Sequence, residues 1–180
     1  MGKKINAFLG TATAAALIFH VVYQVIAYQF FYYNPAVSKT TSHIISMFVV
    51  LHVICSGWIF IKSHDLGNGI KYAGLNARTI VQRITAVLML ILIGVHASMF
   101  SMLPKALVPL LIVQILFFAC VFTHVGVSAS NALITFGWIE SSKGRKRADV
   151  IACIICAVLF IAASIVITKT EFIMFTGGAA

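Results

Sequence analysis

Acidic residues are almost missing from this chain: 4 of its 180 residues are Asp or Glu, against 13 Lys or Arg. All four, Asp65, Glu140, Asp149 and Glu171, fall at or beyond the ends of apolar segments, so no carboxylate is expected in mid-membrane to relay protons. Charge of either sign makes up only 9% of the residues, and apolar types make up 61%. Soluble domains carry roughly a quarter charged residues, so a soluble fold is excluded and the bilayer is the expected solvent. Also missing are a glycine-rich nucleotide loop and a cysteine cluster of the kind that holds an iron–sulfur centre. The four cysteines, Cys55, Cys120, Cys153 and Cys156, lie inside apolar runs, where thiols pack as small hydrophobes. Cys153 and Cys156 make a C-x-x-C, but a redox or zinc pair needs water, a turn or further ligands.

What is present is a set of long apolar runs. A transmembrane helix takes about 20 apolar residues, and five segments qualify, approximately 6–30, 42–62, 79–102, 107–135 and 149–169. The first is too long for the apolar core of a signal peptide and carries Gln24 and Tyr28, so it is expected to stay in the mature protein. Asn34-Pro35, Gly67-Asn68-Gly69, Pro104 and Lys143-Gly144-Arg145 mark the connections. With no long linker, residues 1–180 form a single domain, and the fold class is an all-α membrane protein.

The formal net charge of +9 does not point to nucleic acid, because the basic residues sit at segment ends and read as topology signals. Lys3, Lys4, Lys62, Lys71, Arg78, Arg83, Lys143, Arg145, Lys146 and Arg147 fall on one side, and Lys39, Lys105 and Lys169 on the other. The N-terminus is therefore expected in the cytoplasm and the C-terminus outside, in a multi-pass protein of the cell membrane. Tyr32, Tyr33 and Trp138 suit an interfacial aromatic belt, and Gly10, Ala12 and Ala14 to Ala16 supply small residues for close helix packing.

Each of the first four segments buries one histidine well inside: His20, His52, His96 and His124. At 1.5 Å per residue from the basic end, His20 and His96 come at ~21–26 Å and His52 and His124 at ~15–17 Å. Two levels result, each with two histidines on different helices, which suits an iron held between two imidazoles. A lone membrane histidine is more often a buried polar group bonded to a neighbouring helix; four of them at two matched depths favour ligation. His20 shares its face with Thr13, Ala16, Gln24 and Ala27, and His124 with Cys120, Ser128, Asn131 and Thr135. These are small or hydrogen-bonding, and Gly94 and Gly126 would let a ring approach. Arg83 lies close enough to the inner level to pair with a haem propionate. His43 and His64 lie at segment ends and read as interfacial.

Gln82-Arg83-Ile84-Thr85 with His96 beyond it, and His124-Val125-Gly126 followed by Asn131-Ala132-Leu133-Ile134-Thr135-Phe136-Gly137-Trp138, resemble the cytochrome b subunit of succinate dehydrogenases and fumarate reductases. The likeness spans nearly the whole chain, with Ala86 where many relatives have glycine. It implies a four-helix haem-binding bundle with a peripheral fifth helix, and two b haems, one held by His20 with His96 and one by His52 with His124. It also implies a flavoprotein and an iron–sulfur subunit docked at the cytoplasmic face, a prokaryotic cell membrane, and a membrane quinone, with menaquinone the expected species. The chain would then be an electron-transfer subunit, an enzyme only as part of its complex. Gln24, Tyr28, Gln29 and Lys39 are the polar residues expected nearest the quinone, at the outer side. Two other readings stay open: another di-haem membrane cytochrome b, or a histidine-containing transporter without haem. Against the second, metal transporters pair histidine with carboxylate or thiolate in one polar pathway.

Overall fold

The computed structural model of the protein describes residues 2–30, 32–63, 77–102 and 107–175. They form five helices, α1 (Gly2–Gln29), α2 (Pro35–Ser63), α3 (Ala77–Met102), α4 (Leu107–Thr135) and α5 (Ser142–Phe175), and among the described residues there is no strand. Each of the five is long and apolar enough to cross a membrane. In lipid only a helix or a closed barrel satisfies every backbone group internally, so the multi-pass all-α architecture follows from composition. The loop with His64, Gly67 to Gly69 and Lys71, and the turn with Pro104 and Lys105, lie outside the described residues.

Two helices, α2 and α5, run furthest beyond the apolar runs that announce them. α2 begins at Pro35, where the Asn34 side-chain oxygen accepts the Ala36 and Val37 amides at 2.9 and 3.4 Å and proline takes the first helical position, where no amide is needed. Its first turns are polar, but Thr41 and Ser42 donate their hydroxyls to carbonyls one turn back, so the polarity costs the helix little. α5 begins at Ser142, with the Ser141 hydroxyl accepting the Gly144 amide at 3.0 Å. It runs on to Phe175 and therefore takes in Asp149 and Glu171. Glu171 was expected at or beyond a segment end. It lies instead inside α5 with no exposed surface, and neither carboxylate oxygen has a hydrogen-bond partner.

Between α4 and α5 the chain reverses through Gly137, whose φ is 78°. Gly137 N–H donates to Ile134 O at 3.0 Å and Trp138 N–H to Leu133 O at 2.9 Å, the paired bonds of a Schellman cap, which needs a left-handed residue. The turn returns α5 antiparallel onto α4.

Three helices hold the fold. α4 packs against α5, and α1 packs against both, around Val21 of α1, Phe122 of α4 and Cys156 and Ala163 of α5, with Leu17, Val25, Phe118 and Phe160 packed against them. Small side chains bring the backbones close: a Cβ at Gly126 would meet the Cys156 sulfur at 3.7 Å. The expected opening for a ring at Gly126 is therefore filled by α5, and α5 lies outside the histidine-bearing helices yet is integral to the core. The backbone of α2 comes close only to α1, and that of α3 only to α4. Because the backbone of α1 does not come close to α3, nor that of α2 to α3 or α4, a cleft bridged by the Arg83 side chain at Phe60 separates the α1–α2 pair from the α3–α4 pair, and the α1–α4 contact closes its floor.

At the basic end Arg78 ties three helices together. Its guanidinium makes a two-pronged ion pair with Asp149 of α5, both bonds 2.8 Å, and donates to Val127 O and Ser130 Oγ of α4 at 2.7 and 2.8 Å. The flat fork of arginine matches a carboxylate in this way and lysine would not.

Candidate functional site

The four histidines approach one another in twos across the cleft. His20 of α1 lies within electrostatic range of His96 of α3, and His124 of α4 within that of His52 of α2. Each pair therefore joins two helices that do not touch. Among the described residues no group of three His, Cys, Asp or Glu side chains converges to hold a metal ion.

Three of the four imidazoles are held at Nδ1. His124 Nδ1 lies 3.0 Å from the Gln82 carbonyl and 3.2 Å from the Thr85 hydroxyl. That hydroxyl already donates to Val81 O at 2.7 Å, so both neighbours accept. The proton is on Nδ1, and Nε2 keeps its lone pair. His20 Nδ1 is 2.9 Å from Thr41 Oγ1, and the Thr41 hydroxyl also has carbonyl acceptors within 2.9 Å in its own helix; with its proton on one of those carbonyls it accepts from Nδ1, which leaves Nε2 of His20 bare. His96 Nδ1 meets the side-chain amide of Gln114 at 2.6 Å, while its ring stacks on Phe117 (centroids 4.8 Å apart, planes 26° apart) and sees the edge of Phe118.

His52 is the exception. It packs onto α1 at Gly10, where a Cβ would fall 3.1 Å from its Cε1 and 3.4 Å from its Nδ1. The Asn6 carbonyl lies beside the ring but outside hydrogen-bond geometry, and Nδ1 is buried without a partner. Steric fit to a glycine replaces the hydrogen bond as the means of holding this ring.

Other residues read from the sequence take different places. Ser128 Oγ accepts the Gln82 amide at 2.9 Å, and Asn131 Oδ1 takes a 3.4 Å bond from Arg145, so both serve helix contacts at the basic end. Arg83 lays its guanidinium over the Phe60 ring, 5.3 Å from the centroid. The side chain thus reaches from α3 to α2 across the mouth of the cleft. Gln24 donates to the buried Ser38 hydroxyl at 2.6 Å, and its own oxygen is buried without a partner. Tyr28 and Gln29, with Tyr33, Lys169 and Thr170, line a cavity of about 340 Å³ between α1 and α5 at the end opposite the basic one. Tyr28 and Tyr33 stack there, 5.1 Å between centroids. Gln24 is not part of that wall, nor is Lys39. Gln24, Tyr28 and Gln29 therefore divide between a buried bond inside the α1–α2 pair and an open cavity on its other side, and Lys39 is exposed.

Compared with protein-family models, with curated proteins and with solved structures, the chain matches none.

Sequence reasoning missed Thr41, Gln114 and the role of Gly10. Gln114 had a readable signal: it is the single amide in the apolar first half of α4, Leu107 to Thr123, and an uncapped amide at that depth needs a partner. Thr41 looked like loop polarity, and Gly10 like one more small residue in an alanine-rich helix.

Proposed function

We propose that the protein is a di-haem cytochrome b that anchors a succinate dehydrogenase or fumarate reductase complex in a prokaryotic cell membrane. One haem b is held by His20 and His96, the other by His52 and His124. The observation that carries the reading is the cleft with its four imidazoles: helices that bear paired histidines stand apart, while the helices beside them pack. Bis-imidazole ligation needs two ligands per iron and room between helices for a flat macrocycle. A metal-ion site of three or more ligands finds no such group among the described residues, which disfavours the transporter reading.

The donor set suits iron in a second way. A ligating imidazole usually gives its other N–H to a carbonyl or a hydroxyl, which fixes tautomer and ring orientation. Nδ1 of His124 and of His20 are bonded in that manner, with Nε2 left for the metal. When bound, haem supplies a one-electron carrier at each level. The chain's own part is to fix the ring planes, exclude water, and offer Arg83 at the cleft mouth as a cation for a propionate of the haem nearer the basic end.

On this reading the basic end faces the cytoplasm and docks an iron–sulfur subunit that carries a flavoprotein. The cavity walled by Tyr28, Gln29 and Tyr33 at the far end takes the quinone ring, menaquinone being the species expected. The Tyr28–Tyr33 pair gives a flat aromatic wall, and Gln29 and Lys169 give polar partners for the carbonyl oxygens. Two carriers at different depths then span the distance from a cytoplasmic donor to an outer quinone. The narrower family assignment rests on the Gln82-Arg83-Ile84-Thr85 and Asn131-to-Trp138 segments, and co-purification of a flavin- and iron–sulfur-containing partner separates it from other di-haem cytochromes.

The test is a dithionite-reduced minus oxidised spectrum of the purified chain with a pyridine haemochrome assay. Two b haems per chain are expected. Replacing His20 or His96 with alanine should remove one spectral component, and replacing His52 or His124 the other. A chain that inserts normally but shows no haem band would overturn the reading, as would His20→Ala and His52→Ala removing the same component.

A further inference from the structure

We infer that Thr41 and Gln114 are positioning residues for the outer histidine pair, and that the two pairs differ in kind: side chains hold the outer one, whereas backbone and steric fit hold the inner one. The inference rests on the di-haem reading above and deepens it. At the outer level His20 Nδ1 meets Thr41 Oγ1 at 2.9 Å and His96 Nδ1 meets the Gln114 amide at 2.6 Å. Both partners sit on the helix that packs beside the ligand's own, α2 beside α1 and α4 beside α3. At the inner level His124 leans chiefly on a main-chain carbonyl, with Thr85 as a second acceptor, and His52 rests against Gly10 with no Nδ1 bond.

The Gln114 amide carries a specific consequence. With its nitrogen toward His96 it donates to Nδ1, which would put the ring proton on Nε2 and block ligation. Turned by half a rotation about its last bond, the same amide offers oxygen at the same place and accepts from Nδ1–H, with no change of shape. The side chain is only 2% exposed, so water cannot take over this function. The haem-bearing protein therefore presents Gln114 oxygen to His96, just as Thr41 presents its hydroxyl oxygen to His20. Both His20 and His96 would then donate Nδ1–H to an acceptor, which would make each imidazole a stronger donor to a haem iron and favour its oxidised form.

The direct experiment is redox potentiometry of the two b components, with low-temperature EPR of the oxidised haems, on Thr41→Val, Gln114→Met and Thr41→Ser. Thr41→Val and Gln114→Met should each raise the midpoint potential of the component that His20→Ala removes and shift its g values, with the other component unmoved. Haem at that site should be held about tenfold less tightly, at the lower end of what loss of such a partner costs. Thr41→Ser keeps the hydroxyl and should restore the wild-type potential, which a purely structural role for the threonine methyl would not. If Gln114→Met fails to fold, Thr41→Val against Thr41→Ser decides the case alone. Unchanged outer potential and g values in a wild-type background with two haems would overturn this inference and leave the di-haem reading standing. Absence of haem from the wild-type chain would instead remove the reading on which it rests.

Discussion

Gly10 is the position where a single added group should divide the two proposed haem sites. Its missing Cβ is the space into which His52 fits: an alanine there would place a methyl carbon 3.1 Å from His52 Cε1, against the ~3.5–4.0 Å at which carbon atoms rest. The imidazole would have to retreat by about half an ångström. Against that, Gly→Ala inside a helix is worth about 1 kcal/mol of helix stability, so the Gly10→Ala chain should fold as well as the natural one, with a perturbed but retained inner haem. Leucine is different in kind, since its three further carbons would occupy the volume of the ring. Overpacking of that sort costs roughly 1–3 kcal/mol where neighbours can move, and His52 is on α2, whose backbone packs closely only on α1, so α2 can swing away rather than unfold. The expected result for Gly10→Leu is a membrane-inserted chain with one haem, the missing component being the one that His52→Ala also removes. Haemochrome content and difference spectra read this directly. Two intact haems in Gly10→Leu, or loss of the component belonging to His20, would refute the claim that His52 is positioned by this glycine.

Arg78→Met should destabilise the chain by about 1–3 kcal/mol, since it strands Asp149, Ser130 and the Val127 carbonyl together, while Asp149→Asn should cost less because an amide oxygen still accepts from the guanidinium; thermal unfolding in micelles ranks the two. Glu171→Met should raise stability by roughly 1–3 kcal/mol, because it removes a buried carboxyl with no bonding partner; a lower melting temperature would mean that the carboxyl is bonded in the membrane. Tyr28→Phe and Tyr33→Leu should depress turnover with a quinone and leave turnover with an artificial acceptor and both haem spectra unchanged, the leucine more than the phenylalanine because it removes the stacked wall. Equal loss with both acceptors would move the quinone away from this cavity.

The membrane helices and the histidine positions were legible because both are one-dimensional signals. An apolar run of twenty residues can do little else in lipid, and a histidine in it stands out whatever its neighbours. Helix ends were less legible where polar residues bond within their own helix: Thr41 and Ser42 made the start of α2 look like loop although each hydroxyl is spent on a local carbonyl. The sequence also suggested that charged residues stop a span, whereas α5 carries Asp149 and Glu171 inside its length, the first neutralised by Arg78 and the second fully buried near the helix end. What no linear pattern contains is which helix touches which. Gly126 lies two residues from His124 and so seemed part of its surroundings, but two residues on a helix is about 200° of rotation, and the glycine faces α5. Gly10 lies ten residues from its nearest histidine in sequence and against His52 in space.

The arrangement of contacts also bears on how a chain with so little polar bonding across its cleft can keep that cleft open. Lipid tails are as apolar as leucine, so helices in a membrane gain from association mainly through packing contacts and hydrogen bonds between them. Closing α2 onto α3 would gain packing, yet the structure keeps the helix pairs apart. The separation is set at the floor, where Val21, Phe122, Cys156 and Ala163 lock α1 against α4 and α5, and where Arg78 fixes α3 relative to α4 and α5. On the other side α2 is bound to α1 through Gln24 with Ser38, Asn6 with Ser56, and His20 with Thr41. Two of these three polar links lie at the far end, at or beyond the His20 level, and the third near the basic end. Each half is thus bonded within itself, and the halves meet chiefly where α1 packs on α4 and α5. Such a frame orients four imidazoles before any ligand arrives, so a group entering the cleft would not have to supply the free energy of assembling helices.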